Sequence, residues 1–281
     1  MGQPFSFEPV ETVLLQGQVP MNVQTGIHKS ARPGRFAGKY FLHLEEVDST
    51  NSFCMKSPEL LARAGLVVYA DRQTAGRGRM GRKWEQGDEK HQHLFASFVI
   101  HPTLAPELVP SITICAGLAV YDVLTAQGLR KCSLKWPNDV LVNGLKVCGI
   151  LCESVIAQGK SVVVAGVGIN ISGDTSQFPD EVAGRVTTLE QCHVAISRDS
   201  LLGSLCDAFD TCLVTLHEGS STELFKRWED VSGSIGREVG FYHHGHWQRG
   251  KVFGLDSTGS LLVQLLNGEI VPVVSGEVSF V

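Results

Sequence analysis

The sequence lacks the cysteine patterns of a disulfide-stapled or zinc-bound protein. None of the eight cysteines belongs to a Cys-x-x-Cys pair, and most lie in apolar stretches. Small secreted domains and zinc sites show cysteines at recognisable spacings. We therefore expect reduced thiols in a cytoplasmic protein, with import into an organelle left open. His243, His244 and His246 have no partner ligands at zinc spacing, so we expect a polar loop there and no metal site.

The sequence also has no basic excess and no apolar run that approaches the length of a membrane span. Its formal net charge is −5, whereas general nucleic-acid binders usually carry excess positive charge. We therefore expect neither DNA nor a membrane as a partner. A hydrophobic content of 43% with 19% charged residues is ordinary for a soluble globular protein. A length of 281 residues allows one large domain plus a small one.

Against this acidic background, one short stretch is strongly basic. Gln73 to Trp84 reads QTAGRGRMGRKW and contains three glycines and four cationic side chains. Glycine lets the backbone reach positive φ and lets a ligand approach its N–H groups, while arginine matches the oxygens of carboxylates and phosphates. A solvated basic turn or a nucleic-acid patch would have the same composition. Because the rest of the chain is acidic, we favour a loop that binds a specific anion.

The remainder of the pattern predicts an α+β fold. Tyr40–Val47 reads as a strand, and the residues that follow, 48–51, are good helix caps that could equally offer hydrogen bonds to a ligand. Asn143-Gly144 between the β-rich runs 133–142 and 145–153 predicts a hairpin. Four β-segments without regular strand–helix alternation indicate a mixed β-sheet flanked by helices, and they argue against a doubly wound nucleotide fold.

The pattern changes near residue 233 to short strands punctuated by glycine, which predicts a small C-terminal β-barrel of the SH3-like kind. We therefore expect three parts. Residues 1–38 form a poorly specified N-terminal extension, residues 39–232 form the large mixed-sheet domain, and residues 233–281 form the small C-terminal β domain.

Several motifs in order along the chain resemble those of the biotin–protein ligases. They are AGRGRMGRKW, KWPND, the Lys-x-x-Gly-Ile-Leu of residues 146–151, GVGIN at residues 166–170, and SGEVSF near the end. The resemblance spans about residues 40–280 and implies a biotin/lipoate-ligase-like catalytic domain at 39–232. The large bacterial members carry an N-terminal winged-helix DNA-binding domain, which 38 residues cannot hold. The resemblance therefore implies a ligase without the repressor function.

The resemblance implies a reaction in two steps. The carboxylate of biotin attacks the α-phosphate of ATP to give biotinyl-5′-AMP, with Mg²⁺ held mainly by the phosphates. The amine of a lysine on the biotin carboxyl carrier domain of acetyl-CoA carboxylase or a related carboxylase then displaces AMP. Bringing two anions together requires fixed positive charge in a water-poor site, and arginine and lysine supply it. A monomer or a weak homodimer is expected.

The resemblance also assigns roles to residues of this chain. Lys146 and Arg79 match the groups that act on the carboxylate and the α-phosphate, and Asp139 matches the acidic residue that orients or deprotonates the incoming lysine. Trp84 and Asn170 match residues around the adenine. The other ligand-binding positions are Ser49, Thr50 and Asn51 at the ureido ring of biotin, with Gln73, Gly76, Arg77, Gly78, Gly149 and Ile150 completing the site.

Alternatives remain at this stage. Asp139 could cap the hairpin, Asn170 could be a turn residue, and Trp136 with Pro137 reads better as packing. Met80 departs from the family pattern, because a third arginine is common at that point of the loop. The run EQGDEKHQH after Trp84 is more polar and longer than the segment usual in the family. Whether the small domain contacts ATP is open. A lipoate or octanoate transfer enzyme shares the implied fold, and a non-catalytic protein that holds biotin is a second rival.

Overall fold

A computed structural model describes residues 7–12, 26–87, 91–243, 245–274, 276 and 278–281. It contains two β-sheets. The strands are β1 (Phe7–Thr12), β2 (Gly26–Ser30), β3 (Tyr40–Val47), β4 (Leu66–Gln73), β5 (Gln92–Ile100), β6 (Cys132–Lys135), β7 (Asp139–Val142), β8 (Leu145–Ala157), β9 (Lys160–Ser172), β10 (Glu238–His243), β11 (His246–Leu255), β12 (Leu261–Leu265), β13 (Ile270–Val273) and β14 (Val278–Phe280). The nine-stranded sheet has the order β1-β2-β3-β4-β5-β9-β8-β7-β6, and the five-stranded sheet has the order β13-β12-β11-β10-β14.

Helices cover both faces of the large sheet. They are α1 (Thr50–Lys56), α2 (Pro58–Leu61), α3 (Ile112–Ala126), α4 (Asp180–Ala183), α5 (Arg198–His217) and α6 (Ser221–Val231). The helices α3, α5 and α6 pack on one face, where Phe98 and Phe209 meet edge to face. On the opposite face α1 and α2 pack against β3, β4 and the middle of the sheet. Because side chains alternate along a strand, neighbours such as Val67 and Val68 enter different cores.

The prediction of a mixed sheet flanked by helices, followed by a small C-terminal β module, is confirmed. In the large sheet β3 and β4 run parallel, while its other paired strands run antiparallel. The five-stranded sheet is antiparallel throughout its paired strands. It meets the large sheet through polar contacts as well as apolar packing: Trp136 Nε1 donates to Gly259 O at 3.4 Å, and Ser111 Oγ donates to Thr258 O at 3.0 Å.

The predicted division of the chain at residues 38 and 232 stays a prediction, but the extension 1–38 is not devoid of regular structure. Its strands β1 and β2 pair with each other, and β2 also pairs with β3. Residues 1–6 and 13–25 of this extension lie outside the described part of the chain. The loop 31–38 is fastened to α5, because Asp210 accepts hydrogen bonds from the backbone N–H groups of Arg35, Phe36 and Ala37.

Two details correct the sequence-based picture. The arm expected at 133–142 is itself a hairpin, since β6 and β7 pair with Lys135 opposite Asp139. The expectation that no apolar run approaches a membrane span is wrong by length and composition. Pro106–Ala126 has 21 residues and contains an 18-residue window with a mean hydropathy of 1.7, of which 61% is buried. The cause is the central position of α3, which packs between the sheet and α5 and is therefore apolar on most sides.

All eight cysteines are free thiols, as expected. Five of them are buried, and burial raises the pKa of Cys115 and Cys148 well above the ordinary range. Of the three-histidine segment, His243 ends β10 and His246 begins β11, whereas His244 lies outside the described residues. Among the residues with described positions, no group of three or more His, Cys, Asp or Glu side chains is placed to hold a metal ion.

Candidate active site

One cavity of about 630 Å³ lies on the large sheet under the glycine-arginine loop. Every site residue expected from the sequence, except Gly76, lines it. They are Ser49, Thr50, Asn51, Gln73, Arg77, Gly78, Arg79, Trp84, Asp139, Lys146, Gly149, Ile150 and Asn170. The fold brings them together because β3 and β4 end at the cavity, β7 begins there, and β8 and β9 cross beneath it.

A buried polar network forms one end of the cavity. Ser49 caps α1, so the helix begins at Thr50, and the side chains of its first turn point towards the sheet. Gln73 Oε1 accepts hydrogen bonds from Thr50 N at 2.8 Å and from Thr50 Oγ1 at 3.2 Å. Ser97 on β5 lies 2.8 Å from Thr50 Oγ1 and donates to Asn51 Oδ1 at 2.6 Å. Small hydroxyl and amide groups of this kind suit a neutral ring that carries both donors and an acceptor.

Asn51 is held on three sides. Its Nδ2 donates to Leu151 O at 2.9 Å and to Glu153 Oε2 at 3.0 Å, and its Oδ1 faces Ser97. A Cβ added at Gly166 would lie 2.4 Å from Asn51 Oδ1, so this amide rests directly on the backbone of β9. The orientation of the Asn51 amide is therefore set by the protein before any ligand binds.

The glycine-arginine loop has a closed stem and an exposed tip. Trp84 N donates to Gly76 O at 2.9 Å, Arg77 and Lys83 form an antiparallel bridge, and Gly78 N donates to Arg82 O at 2.7 Å. Gly76 does not line the cavity, and a Cβ there would lie 3.1 Å from Trp84 Cβ. The absence of a side chain therefore allows close packing of the stem, and the part of Gly76 in ligand binding stays a prediction.

At the tip, Met80 has a left-handed backbone with φ 54° and is 75% exposed. Methionine is uncommon in this conformation, because its Cβ crowds the backbone. Gly81, with φ 76°, follows it. Arg79 and Arg82 are therefore carried on a sharp turn directly over the cavity that both residues line.

Trp84 lies on a floor of two glycines. Gly149 on β8 and Gly168 on β9 are register partners. A Cβ added at Gly149 would lie 2.7 Å from the indole ring, and one added at Gly168 would lie 3.1 Å from it. No other residue type fits under the ring without displacing it. The buried Nε1 of Trp84 has no hydrogen-bond partner within the described part of the chain. A buried donor of this kind is costly to leave unpaired, so it is suited to pair with a ligand atom.

Lys146 and Asp139 form an ion pair at the other end of the cavity. Lys146 Nζ lies 2.6 Å from Asp139 Oδ1 and 5.6 Å from the centre of the Trp84 ring. Both side chains are largely shielded, with 29% and 22% of their surfaces exposed. The backbone of Lys146 is fixed by the segment that follows α4, since its N–H donates to Arg185 O and its carbonyl accepts from Thr187 N. Asp139 begins β7.

Asn170 is a buried strand residue rather than a turn residue. Its Nδ2 donates to Thr187 O at 3.1 Å, so its Oδ1 is turned towards His93 Nδ1 at 3.2 Å. The other ring nitrogen of His93 lies 2.8 Å from Gln86 O. Burial lowers the pKa of His93, and nearby His91 and Arg198 lower it further, whereas hydrogen bonds of its ring to the acceptors Gln86 O and Asn170 Oδ1 raise it. His93 therefore connects Asn170 to the chain just after the basic loop.

The small C-terminal sheet also reaches the cavity. Phe280 on β14 lines it together with Lys135 of β6. Two cations contact the Phe280 ring, with Lys135 Nζ at 5.1 Å and the Arg237 guanidinium at 3.7 Å from its centre. Ser275 and Glu277 of the SGEVSF motif lie outside the described residues.

Sequence reasoning missed four residues that shape this site: Ser97, Glu153, His93 and Phe280. A signal existed for two of them, because Ser97 is an isolated hydroxyl in the apolar run 94–100, and Glu153 is the second residue after the Gly-Ile-Leu motif. Asn51, the partner of both, lies 46 residues from Ser97 and 102 residues from Glu153, so no local pattern could reveal the contacts.

Two family profiles match the chain. Residues 44–170 match the biotin/lipoate A/B protein ligase family, and residues 235–281 match the biotin protein ligase C terminal domain. The first match begins within β3 and ends within β9, and the second covers the five-stranded sheet.

Comparison with individual proteins agrees with these profiles. A solved structure of biotin protein ligase from Aquifex aeolicus in complex with biotin and ATP is similar, with a TM-score of 0.72 and 32% identity over 85% of this chain and 97% of that chain. The bifunctional ligase/repressor BirA of Bacillus spizizenii is 29% identical over 82% of this chain and 71% of its own length. A biotin–[acetyl-CoA-carboxylase] ligase of Paracoccus denitrificans is 28% identical over 79% of this chain and 92% of its own length.

Proposed function

The chain belongs to the biotin/lipoate A/B protein ligase family and, within it, to the biotin protein ligases; from this premise we propose that it activates biotin with ATP and transfers it to a carrier lysine. In the first step a biotin carboxylate oxygen bonds to the α-phosphorus of ATP and diphosphate leaves. In the second step the neutral amine of a lysine on a carboxylase biotin carrier domain bonds to the acyl carbon, and AMP leaves.

The observation that carries this proposal is the arrangement of two different environments in one cavity. The Gln73–Thr50–Ser97–Asn51 network is small, buried and neutral, which suits the ureido ring of biotin. The opposite end carries the Lys146–Asp139 pair beside Trp84 and beneath the Arg79 turn. A carboxylate that extends from the ring pocket would reach the cationic end, where an adenylate can form.

The cationic groups act on the reacting anions. Lys146 and Arg79 offset the repulsion between the biotin carboxylate and the α-phosphate, and they stabilise the charge that develops at phosphorus. Because Lys146 is fixed at its backbone and paired with Asp139, little reorganisation is needed when the phosphate arrives. Mg²⁺ brought in with ATP would be held mainly by phosphate oxygens, since the cavity carries few carboxylates, and it would supply charge shielding to the diphosphate leaving group.

Asp139 serves the second step. A lysine ammonium is not a nucleophile and must lose a proton before it attacks the acyl carbon. Asp139 lies at the edge of the cavity next to Lys146, where it can orient the incoming amine and accept its proton. Trp84 covers the glycine floor at Gly149 and Gly168, and with Asn170 it forms the adenine end of the site.

Several finer points complete the proposal. We infer a cytoplasmic protein, because eight free thiols suit a reducing compartment. We infer no general DNA binding, because the net charge is −5, and no membrane association, because the apolar helix α3 is packed in the core. We also infer a monomer or a weak homodimer, which sedimentation at several protein concentrations would test.

The experiment is a diphosphate-release assay with MgATP and either biotin or lipoate. We expect biotin to drive release and lipoate to have little effect. Activation of lipoate without biotin would identify a lipoate-transfer enzyme instead. Binding of biotin without any diphosphate release, in a chain shown to be folded, would identify a passive biotin-binding protein and overturn the proposal.

A further inference from the structure

A single carboxylate oxygen connects the ring pocket to the basic loop. Glu153 Oε2 accepts the hydrogen bond from Asn51 Nδ2 at 3.0 Å and forms an ion pair with Arg77 Nη2. Glu153 lies on β8, two residues beyond the Leu151 carbonyl that also accepts from Asn51. Its side chain is 27% exposed, and that of Arg77 is 42% exposed. The contact is therefore partly shielded from solvent, at the edge of the cavity.

On the pocket side, Glu153 takes the second hydrogen of the Asn51 amide, whose first hydrogen goes to Leu151 O. With both donors engaged, Asn51 Oδ1 must face the interior, where Ser97 Oγ donates to it at 2.6 Å. One lone pair of that oxygen remains for a ligand N–H group. Loss of the Glu153 carboxylate would leave the amide free to rotate away from this orientation.

On the loop side, Arg77 belongs to the closed stem, directly after Gly76. It bridges Lys83 through its backbone, while its guanidinium is bound to Glu153 on the sheet. The stem is thus attached to β8 by a side-chain contact in addition to its own hydrogen bonds. The residues that follow Arg77 carry Arg79 over the cavity.

We propose that Glu153 is a positioning residue that couples occupancy of the ring pocket to closure of the basic loop; this rests on the proposed function above. A ring bound at Asn51 Oδ1 holds the amide in place, the amide holds Glu153, and Glu153 holds Arg77 and the loop stem. In the reverse direction, a closed stem keeps Asn51 in its binding orientation. Glu153 touches no reacting atom, so its effect falls on binding and retention of biotin and biotinyl-AMP rather than on the chemical step.

The test is a double-mutant cycle with Glu153→Gln, Arg77→Gln and the combined variant. Glutamine has the size of Glu153 and can still accept a hydrogen bond from Asn51 Nδ2. Because it is uncharged, it forms no ion pair with the Arg77 guanidinium. We expect each single variant to raise KM for biotin and to speed release of biotinyl-AMP by about three- to tenfold, as for a partly shielded charged contact. We expect kcat for adenylate formation to change by less than about threefold, since no transition-state contact is lost.

Comparison of the combined variant with the two single variants shows whether Glu153 acts through Arg77 or only stabilises the fold. If Glu153 acts through Arg77, the combined variant should be no worse than the poorer single variant. Multiplicative effects, an unchanged KM, or a fall in kcat at unchanged KM would overturn the proposal. Should Glu153→Gln fold poorly, Arg77→Gln alone must still show the rise in KM and the faster adenylate release, because Arg77 is exposed and its replacement leaves β8 intact.

Glu46→Gln is the matched control. Glu46 forms an exposed ion pair with Arg72 at 3.5 Å between β3 and β4 and does not line the cavity. Its replacement should leave KM and adenylate release unchanged. Wild-type protein that forms no biotinyl-AMP would contradict the proposed function itself, whereas wild-type activity with unaffected Glu153 and Arg77 variants would contradict the coupling alone.

Discussion

The ammonium of Lys146 lies 2.6 Å from the carboxylate of Asp139, in a cavity where Trp84 covers the neighbouring strands. Each of the two charged groups can serve a different step of the reaction. The cation faces the anions of the first step, and the carboxylate faces the amine of the second. The pairing also keeps both side chains in defined positions before substrate binds, which reduces the reorganisation needed at each step.

Replacement of Lys146 by alanine should abolish most adenylate formation. Loss of one preorganised charge at the reacting phosphate typically lowers kcat by about 10²–10³-fold. Diphosphate release measures this directly, and biotin binding should fall much less. Lys160→Ala, at an exposed strand end, is the control and should have no effect. If the Lys146→Ala variant keeps more than about a tenth of the wild-type rate of diphosphate release, Lys146 does not have the role assigned to it.

Asp139→Asn should separate the two steps. Transfer from preformed biotinyl-AMP to the carrier should fall by about 10²-fold, because asparagine cannot accept the proton of the incoming amine. Adenylate formation should fall by no more than about tenfold, since Lys146 keeps its charge. Rapid mixing of carrier with the isolated enzyme–adenylate complex measures transfer alone. Equal losses in both steps would show that Asp139 acts only as a partner of Lys146.

Gly149→Ala should weaken ATP binding more than biotin binding. The added Cβ would lie 2.7 Å from Trp84 Cζ3 and 2.9 Å from Lys146 Nζ, so both side chains must move. The nearest atoms to the added Cβ belong to Trp84 and Lys146 and not to the ring network at Thr50 and Asn51, so we expect that network to keep its geometry. Calorimetric titration with each substrate measures the difference. Gly117→Ala is the control, because its Cβ would make only ordinary contacts at 3.7 Å. Equal loss for both substrates would contradict the assignment of an adenine end.

Stability should fall as the pH drops below about 6.5, the ordinary pKa of histidine. Burial lowers the pKa of His93 and of His217, so the unfolded chain binds these protons more readily than the folded one. Their contribution to stability is full above about pH 6.5 and is lost as the pH falls towards the lowered values. His93→Gln should therefore show a smaller drop in unfolding free energy between about pH 7.5 and about pH 5.5. An unchanged drop would mean that His93 does not titrate in this window.

The motifs located the cavity residues well because each motif combines a special backbone requirement with a charge. Glycines at 76, 78 and 149 and cations at 77, 79 and 146 are visible in a single sequence, and all but Gly76 line the cavity. Asn143-Gly144 likewise revealed the β7–β8 turn, because both residues adopt the positive φ that this pair favours.

Long-range contacts were not accessible in the same way. Any of residues 48–51 could cap a helix, but it is Ser49 that caps α1, so Asn51 lies inside the first turn and faces Ser97 and Glu153. The strands β1 and β2 were missed because residues 1–38 carry only scattered apolar residues. Pairing with β3 stabilises β2, and no property of its own sequence predicts that pairing.

Intact-mass spectrometry of a purified biotin carrier domain tests the central claim most directly. The carrier is incubated with this chain, biotin and MgATP, and parallel samples omit ATP or contain the Lys146→Ala variant. We predict that the carrier gains one biotinyl group on a single lysine in the complete mixture, and no mass in either control. An unchanged carrier mass in the complete mixture, with the chain shown to be folded and the carrier accepted by another biotin ligase, would contradict the account.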